Sequence, residues 1–468
     1  MALPTKGFLR TSGRRLVDGK GATVRLRGVG LGGWMNMENF ITGYAANEEL
    51  MRHDVRSVLG DDRYELFFDR LLTAFFGEAD ARFLAETGMN CVRIPVNYRH
   101  LESDDRPFEL IESGFARLDR VIDACARHGL YSVIDLHALP GAQNQHWHSD
   151  NPTHIADFWV HRHFQDRAVW LWEAIADRYR DDSRVAGFNP INEPASPDRA
   201  RVAAIYRRLY DAIRAIDPNH ILFLDGNTYS TEFDVFDGTF ENVVYTCHDY
   251  AAAGFITGGD YPGVTNGEYW DRSGLERKYR TRTEYSCATD TPVWVGEFGP
   301  VYVADERRDA MRYQILSDQL DIYAADEASW SIWTYKDVGC QGMAVVSPDS
   351  AYRRRFDEFI AKKHRLGGDH WASPGEGVSG VVEPFLELLA REFPGFAPYP
   401  WGTREWARTL LMHITVAQPL SREYAALFDG LSDDDLVALA DSFAFDNCEI
   451  RRPLVELLRK DLANVAVT

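Results

Sequence analysis

Residues 185–194 read VAGFNPINEP. An apolar run stops at Asn192, Glu193 and Pro194, and a glutamate at the end of a buried strand is a poor choice for packing alone. Working outward, seven more runs share the form: VRLRGVGLGGW (24–34), GMNCVRIPV (88–96), LYSVIDLHAL (130–139), HILFLDGN (220–227), NVVYTCHDY (242–250), PVWVGEFGP (292–300) and SWSIWTYKD (329–337). Runs apolar throughout suit strands covered on both faces.

Between them lie amphipathic stretches. In FARLDRVIDACARHG, Phe115, Leu118, Val121, Ile122 and Cys125 share one helical face and Gly129 marks a stop. Residues 167–182, 199–216 and 306–328 repeat the pattern. Eight strands with intervening helices predict an α/β fold of the (β/α)8 TIM-barrel type. The segment 228–241 is short for a full helix. An open doubly wound sheet is the alternative, but no GxGxxG or Walker loop opens a helix.

The strands end in functional groups: Gly32-Gly33-Trp34, Arg93, His137, Asn192-Glu193, Asn227, His248 to Tyr250, Glu297 and Trp333. Barrel active sites sit at the C-terminal ends of the strands. After about residue 372 the pattern changes to short helices broken by Gly/Pro-rich stretches. The expected division is a barrel over 1–372 and a helical C-terminal extension over 373–468, with the barrel's last helix falling at that border. Ser432 with Asp435 has the form of an N-cap.

The formal charge of −20 argues against nucleic acid or an anionic membrane as partner, and aromatics at 13% suit a protein that stacks rings. No apolar run is long enough for a signal peptide or a membrane span, so a cytoplasmic chain is expected. The six cysteines show no CxxC or CxxH spacing, which argues against disulfides and structural zinc. Oligomeric state is not readable.

Glu193 and Glu297 close strands four and seven, which face one another across a barrel mouth. Two carboxylates there can bracket a glycosidic bond, one protonating the leaving oxygen and the other attacking the sugar carbon. Arg93 beside Glu297 would favour its charged form. Tyr250 is placed to donate to the same carboxylate, and Asn192 to meet a sugar 2-hydroxyl. His137 and His248 offer further donors, and Trp333 an apolar floor. Each residue alone has an ordinary structural reading; together, on strand after strand, they point to one site.

The chain resembles glycoside hydrolase family 5 over most of residues 7–340. The resemblance is carried by GFLRTSGRRLVDGKGATVRLRGVGLGGW, GEADARFLAETGMNCVRIPVNY, VIDLHALPGAQN, FNPINEP, CHDY and WVGEFG. It implies a retaining double displacement with Glu193 as acid/base and Glu297 as nucleophile, no metal or cofactor, and Arg93, His137, Asn192, His248, Tyr250 and Trp333 around the cleaved sugar. LGGWMNMENF and DLHALPGAQN look most like the exo-acting β-glucanase branch, where a Glu at the position of Glu38 helps hold the terminal sugar, and Trp34 in the same stretch is a further candidate for substrate contact. The loop GAQNQHWHSDNPTH carries His146, Trp147, His148, Asp150 and His154. It reads as a wall closing the cleft, ahead of a plain surface loop or a His-x-His metal site.

Overall resemblance to the subfamily 18 β-mannosidases implies release of a terminal mannose from short β-linked oligosaccharides. A β-glucosidase or exo-β-1,3-glucanase is the near alternative, and an endo-β-glucanase or mannanase, a transglycosylase and a non-catalytic sugar-binding protein are further ones. Trp371 and Trp401 are candidates for the pocket rim, with core packing as the preferred use of each.

Overall fold

The computed structural model describes residues 7–369 and 371–463. Eight parallel strands close into a barrel: β1 Arg27–Gly30, β2 Cys91–Asn97, β3 Tyr131–Ala138, β4 Val185–Asn189, β5 Ile221–Asp225, β6 Val243–His248, β7 Val293–Glu297 and β8 Ser329–Ile332. Their order around the barrel is their order in the chain, and β8 pairs with β1 through Ser331 and Gly28. Every residue of β2 to β8 is buried, which is why the runs lack the alternation of a half-exposed sheet.

One layer of the interior is Cys91, Tyr131, Val133, Ala186, Phe223, Val244 and Trp294. The N-terminal hairpin, Arg10–Ser12 paired with Arg15–Val17, closes the barrel's N-terminal end by adding Leu9 and Leu16 to this layer. The opposite end, where the strands finish, is left for the site.

The helices are α1 Glu48–Leu59, α2 Asp61–Phe75, α3 Glu78–Thr87, α4 Glu112–Arg127, α5 Arg162–Tyr179, α6 Arg199–Ile216, α7 Arg272–Ala288, α8 Glu306–Ala325, α9 Ala351–Leu366, α10 Ser379–Glu392, α11 Gly402–Thr409, α12 Ala417–Ala426, α13 Asp433–Asp441 and α14 Arg452–Ala463. Ser432 caps α13 in a reciprocal capping box with Asp435. Between β5 and β6 no long helix forms. The chain makes a tight turn at Asn227–Ser230 in which Thr228, Tyr229 and Ser230 all have positive φ.

The C-terminal helices do three different things. α12 packs on α1 and α13 on α2, thickening the excursion between β1 and β2. α14 returns to the barrel wall between α8 and α3, where Arg27 of β1 donates to the carbonyls of Asp461 and Leu462. The stretch from Ser379 to Val416 (α10, α11 and a π-helical turn at Leu410–Val416) forms a cap with its own small core of Val382, Leu386, Ala407 and Met412. Among the described residues no helix is long and apolar enough to cross a membrane.

Candidate active site

The strand ends surround a cavity of about 940 Å³. Glu193 and Glu297 both line it, and one oxygen of each, with a ring nitrogen of His248, lie within 4.8 Å of one another. Glu193 follows β4 with φ 47°, a left-handed conformation that β-strand continuation would not give. Its amide donates to Asp225 Oδ2 at 2.9 Å, which holds that turn.

The two carboxylates are held differently. Glu297 accepts from Arg93 Nη1 at 2.7 Å on one oxygen and from the Tyr250 hydroxyl at 2.8 Å on the other. Glu193 meets His248 Nδ1 at 2.6 Å on one oxygen and His148 Nε2 at 3.0 Å on the other. Burial alone would raise the Glu193 carboxyl, but the His248 charge and the bonds from His148 and His248 pull it below the ordinary range. Burial alone would lower His248, but Glu297, Asp225 and Glu193 together lift it to about 9.

Beneath the cavity lies a polar layer. Arg93 is buried and also donates to Asn189 Oδ1 and to Asn192 Oδ1, at 2.9 and 2.6 Å from Nη2. Its Nη2 lies 3.1 Å from Asp135. Asp135 also bonds His137 Nδ1 at 2.7 Å, and Asn192 Nδ2 reaches the other ring nitrogen at 3.2 Å. Burial pushes Asp135 up to about 7, against the charge of Arg93, and Asp225 up to about 6, against that of His248. It also pushes His137 well down.

Glu38 lines the cavity, its Oε1 3.8 Å from His137 Nε2 and accepting no protein hydrogen bond. Burial first, then the charges of Glu297 and Glu193, push its carboxyl well above the ordinary range. Trp333 stacks on the His137 ring at 5.4 Å and 7°. A Cβ at Gly30 or Gly32 would stand 2.5 Å from the Trp333 ring, so the glycines of GVGLGG leave room for that floor.

Most residues singled out from the sequence therefore meet in one place. Glu38, His137, His146, Trp147, His148, Glu193, His248, Tyr250, Glu297 and Trp333 line the cavity. Arg93 and Asn192 lie just below it, and Asn192 spends its amide on Arg93 and His137. Trp34 is a correction. It is fully buried and its indole N–H donates to the Leu72 carbonyl at 2.8 Å, so it packs β1 against α2 instead of meeting substrate. The loop at 141–154 walls the cavity through His146, Trp147 and His148. Its Asp150 turns away to Asn47, Asn97 and Arg99, so the loop's His and Asp side chains do not converge. Among the described residues the cluster able to gather round a cation is Glu193, His248 and Glu297.

Trp371 packs against the core beside Phe40 and Phe255 and also lines the cavity, whereas core packing is corrected for Trp401, which lines the cavity with 46% of its surface exposed. Sequence reasoning missed Asp135, Asn144, Asn189 and Asp225. Asn144 donates to the Glu193 carbonyl at 3.0 Å and meets His148 Nε2 at 2.8 Å. The available signal was a carboxylate or amide inside an otherwise apolar run, as in VIDLHA and LFLDGN.

Comparison with known proteins gives the family. Residues 73–339 match the family model "Cellulase (glycosyl hydrolase family 5)". A beta-xylosidase of Phanerodontia chrysosporium is 46% identical over 98% of this chain and 99% of its own. A probable glucan 1,3-beta-glucosidase A of Aspergillus fumigatus is 29% identical over 68% of this chain and 84% of its own. A crystal structure of an endogalactoceramidase shares the fold, with a TM-score of 0.52 and 15% identity over 70% of this chain and 75% of that one. With the family model covering more than half its length and a full-length relative at that identity, the chain belongs to glycosyl hydrolase family 5 and is a glycoside hydrolase.

Proposed function

We propose that the protein is a retaining, exo-acting β-glycosidase that releases one terminal sugar from short β-glycosides. The observation that carries the retaining mechanism is that one oxygen of Glu193 and one of Glu297 lie within 4.8 Å of each other, in keeping with the shorter carboxylate spacing of retaining enzymes. Glu297, oriented by Arg93 and Tyr250, attacks the anomeric carbon as the bond to the leaving oxygen breaks. Glu193 donates a proton to that oxygen. A water, deprotonated by Glu193, then displaces Glu297 and the sugar leaves with retained configuration.

Glu193 can draw the proton it donates from His248, whose Nδ1 lies 2.6 Å away and whose imidazole is lifted to about 9 by Glu297, Asp225 and Glu193. A neutral sugar covering the pair removes water, which disfavours the separated charges and moves the proton to Glu193. The 141–154 wall and the cap support a pocket for a chain end. A full-length relative named as a beta-xylosidase favours xylose as the terminal sugar, and a relative named as a probable glucan 1,3-beta-glucosidase supports glucose as the next choice. The mannose implied by the subfamily 18 resemblance is the competing glycone.

The test is hydrolysis of aryl β-xyloside, glucoside, mannoside, galactoside and cellobioside by the wild type and Glu297→Ala. Cleavage of a monoglycoside that the mutation abolishes, with the anomer retained in the product, is expected. Cleavage of the cellobioside alone would replace the exo reading by an endo-type cleft, and turnover surviving in the mutant would remove Glu297 from its role.

A further inference from the structure

We propose that the cap segment Tyr399–Trp401, seated on the turn Thr228–Ser230, builds the site for the leaving-group half of the substrate, a ring whose apolar face stacks on Trp401. The proposal rests on the retaining-glycosidase reading of Glu193 and Glu297. Its first support is the missing helix between β5 and β6. In its place three consecutive non-glycine residues hold φ of 52°, 59° and 60°. Each costs free energy, and such strain persists where surrounding contacts fix it.

The barrel supplies some of those contacts, with Ser230 Oγ donating to the Thr246 carbonyl at 2.6 Å and the Tyr229 amide to the Pro194 carbonyl at 3.2 Å, and the cap and the loop wall supply the rest. Tyr399 Oη lies 2.6 Å from Thr228 Oγ1, Trp401 stacks on Tyr229 at 4.6 Å and 24°, and the Tyr229 hydroxyl donates to Gln145 at 3.0 Å. The turn thus aims Tyr229 into the cavity and fastens Trp401 beside it.

Position assigns the site to the leaving group. His146 lies 5.0 Å from Trp401 and 5.9 Å from His148, and His148 reaches Glu193 at 3.0 Å. Trp401 is therefore on the flank of the acid, where the protonated oxygen departs with its substituent. Trp371 is on the other flank, 5.0 Å from Tyr250, which donates to Glu297. The cavity, at about 940 Å³, is at the upper end of small-molecule sites and exceeds what one sugar fills. A large aromatic left half exposed on its rim is a surface for a ring, sugar or aryl, to cover.

The test uses the full chain with Trp401→Ala and Trp401→Phe on three substrates carrying the accepted terminal sugar: a disaccharide, an aryl glycoside, and a glycosyl fluoride whose leaving group is one atom. The expected result is a loss of about tenfold in kcat/KM on at least one ring-bearing substrate, largely restored by Trp401→Phe, with the fluoride changed less than about twofold. Loss confined to the disaccharide or to the aryl glycoside identifies the resident ring. Equal losses on all three, or none on either ring-bearing substrate, overturn the proposal. Calorimetric titration of cellobiose and xylobiose into Glu297→Ala, with and without Trp401→Ala, reads the site without turnover. If the wild type cleaves nothing, the catalytic reading fails, while weaker binding after Trp401→Ala still supports the cap site and unchanged binding removes it.

Discussion

Glu297 and Glu193 are the same residue type at the ends of two strands of one barrel, and their surroundings differ in kind. Glu297 is gripped by Arg93 and Tyr250, groups that keep their protons across the working pH range. Glu193 is gripped by His148 and His248, and His248 titrates near 9. A fixed setting suits a group that must stay an attacking anion. A titratable setting suits a group that must take up and release a proton in each cycle. The comparison breaks if the two carboxylates prove interchangeable, and substitution is the most direct way to try it. Glu297→Ala is expected to lower kcat by more than about a thousandfold on every substrate, whatever the leaving group. Glu193→Gln should cost about 10²–10⁴-fold on sugar leaving groups and much less on an acidic phenol, which needs little protonation. Steady-state rates over a series of phenols would show a steep dependence on phenol pKa in Glu193→Gln.

A smaller change sharpens the same contrast. Tyr250→Phe keeps the ring and removes one hydrogen bond to Glu297. One such bond is worth about 1–1.5 kcal/mol, so kcat should fall by about tenfold, equally for good and poor leaving groups. A loss that grew with phenol pKa would instead tie Tyr250 to proton transfer.

The barrel was legible because its strands are buried on both faces, so each became an unbroken apolar run that stopped at a polar group. Much of the site was legible for the same reason, since a Glu, His or Arg interrupting such a run stands out. Asp135 and Asp225 interrupt runs too, but with a His or Gly-Asn beside them they pass for strand-end polarity, and only the fold shows them under Arg93 and His248. Trp34 erred the other way. Its place beside a glycine-rich strand end suggested the cavity, while the backbone turn sends it to Leu72. The routing of the C-terminal helices was not legible at all. An amphipathic face says that α14 must pack, not that it fills the gap between α8 and α3 more than a hundred residues after β8. Nor does local pattern say that a Gly/Pro-rich link carries Trp401 back to the turn after β5.

The least disruptive probe of the two settings is stability against pH. His248 is raised from 6.5 to about 9, so its pairing stabilises the fold fully below 6.5 and that contribution is lost as pH rises through 9. Glu193 is lowered, so its contribution is present above 4.5 and is lost as pH falls. Asp135 and Asp225 are raised acids, to about 7 and about 6, whose forced ionisation costs stability as pH climbs from 3.8 to those values. Above neutral pH, then, His248 is the member of this set still to titrate. Melting followed by circular dichroism should show the wild-type Tm declining between pH 6.5 and 9, and His248→Asn should lack part of that decline, a difference of about 2 °C. Equal slopes in the two proteins would mean that His248 is neutral in the free enzyme. The distinction between a fixed nucleophile and a titratable acid would then rest on the substituent effects alone.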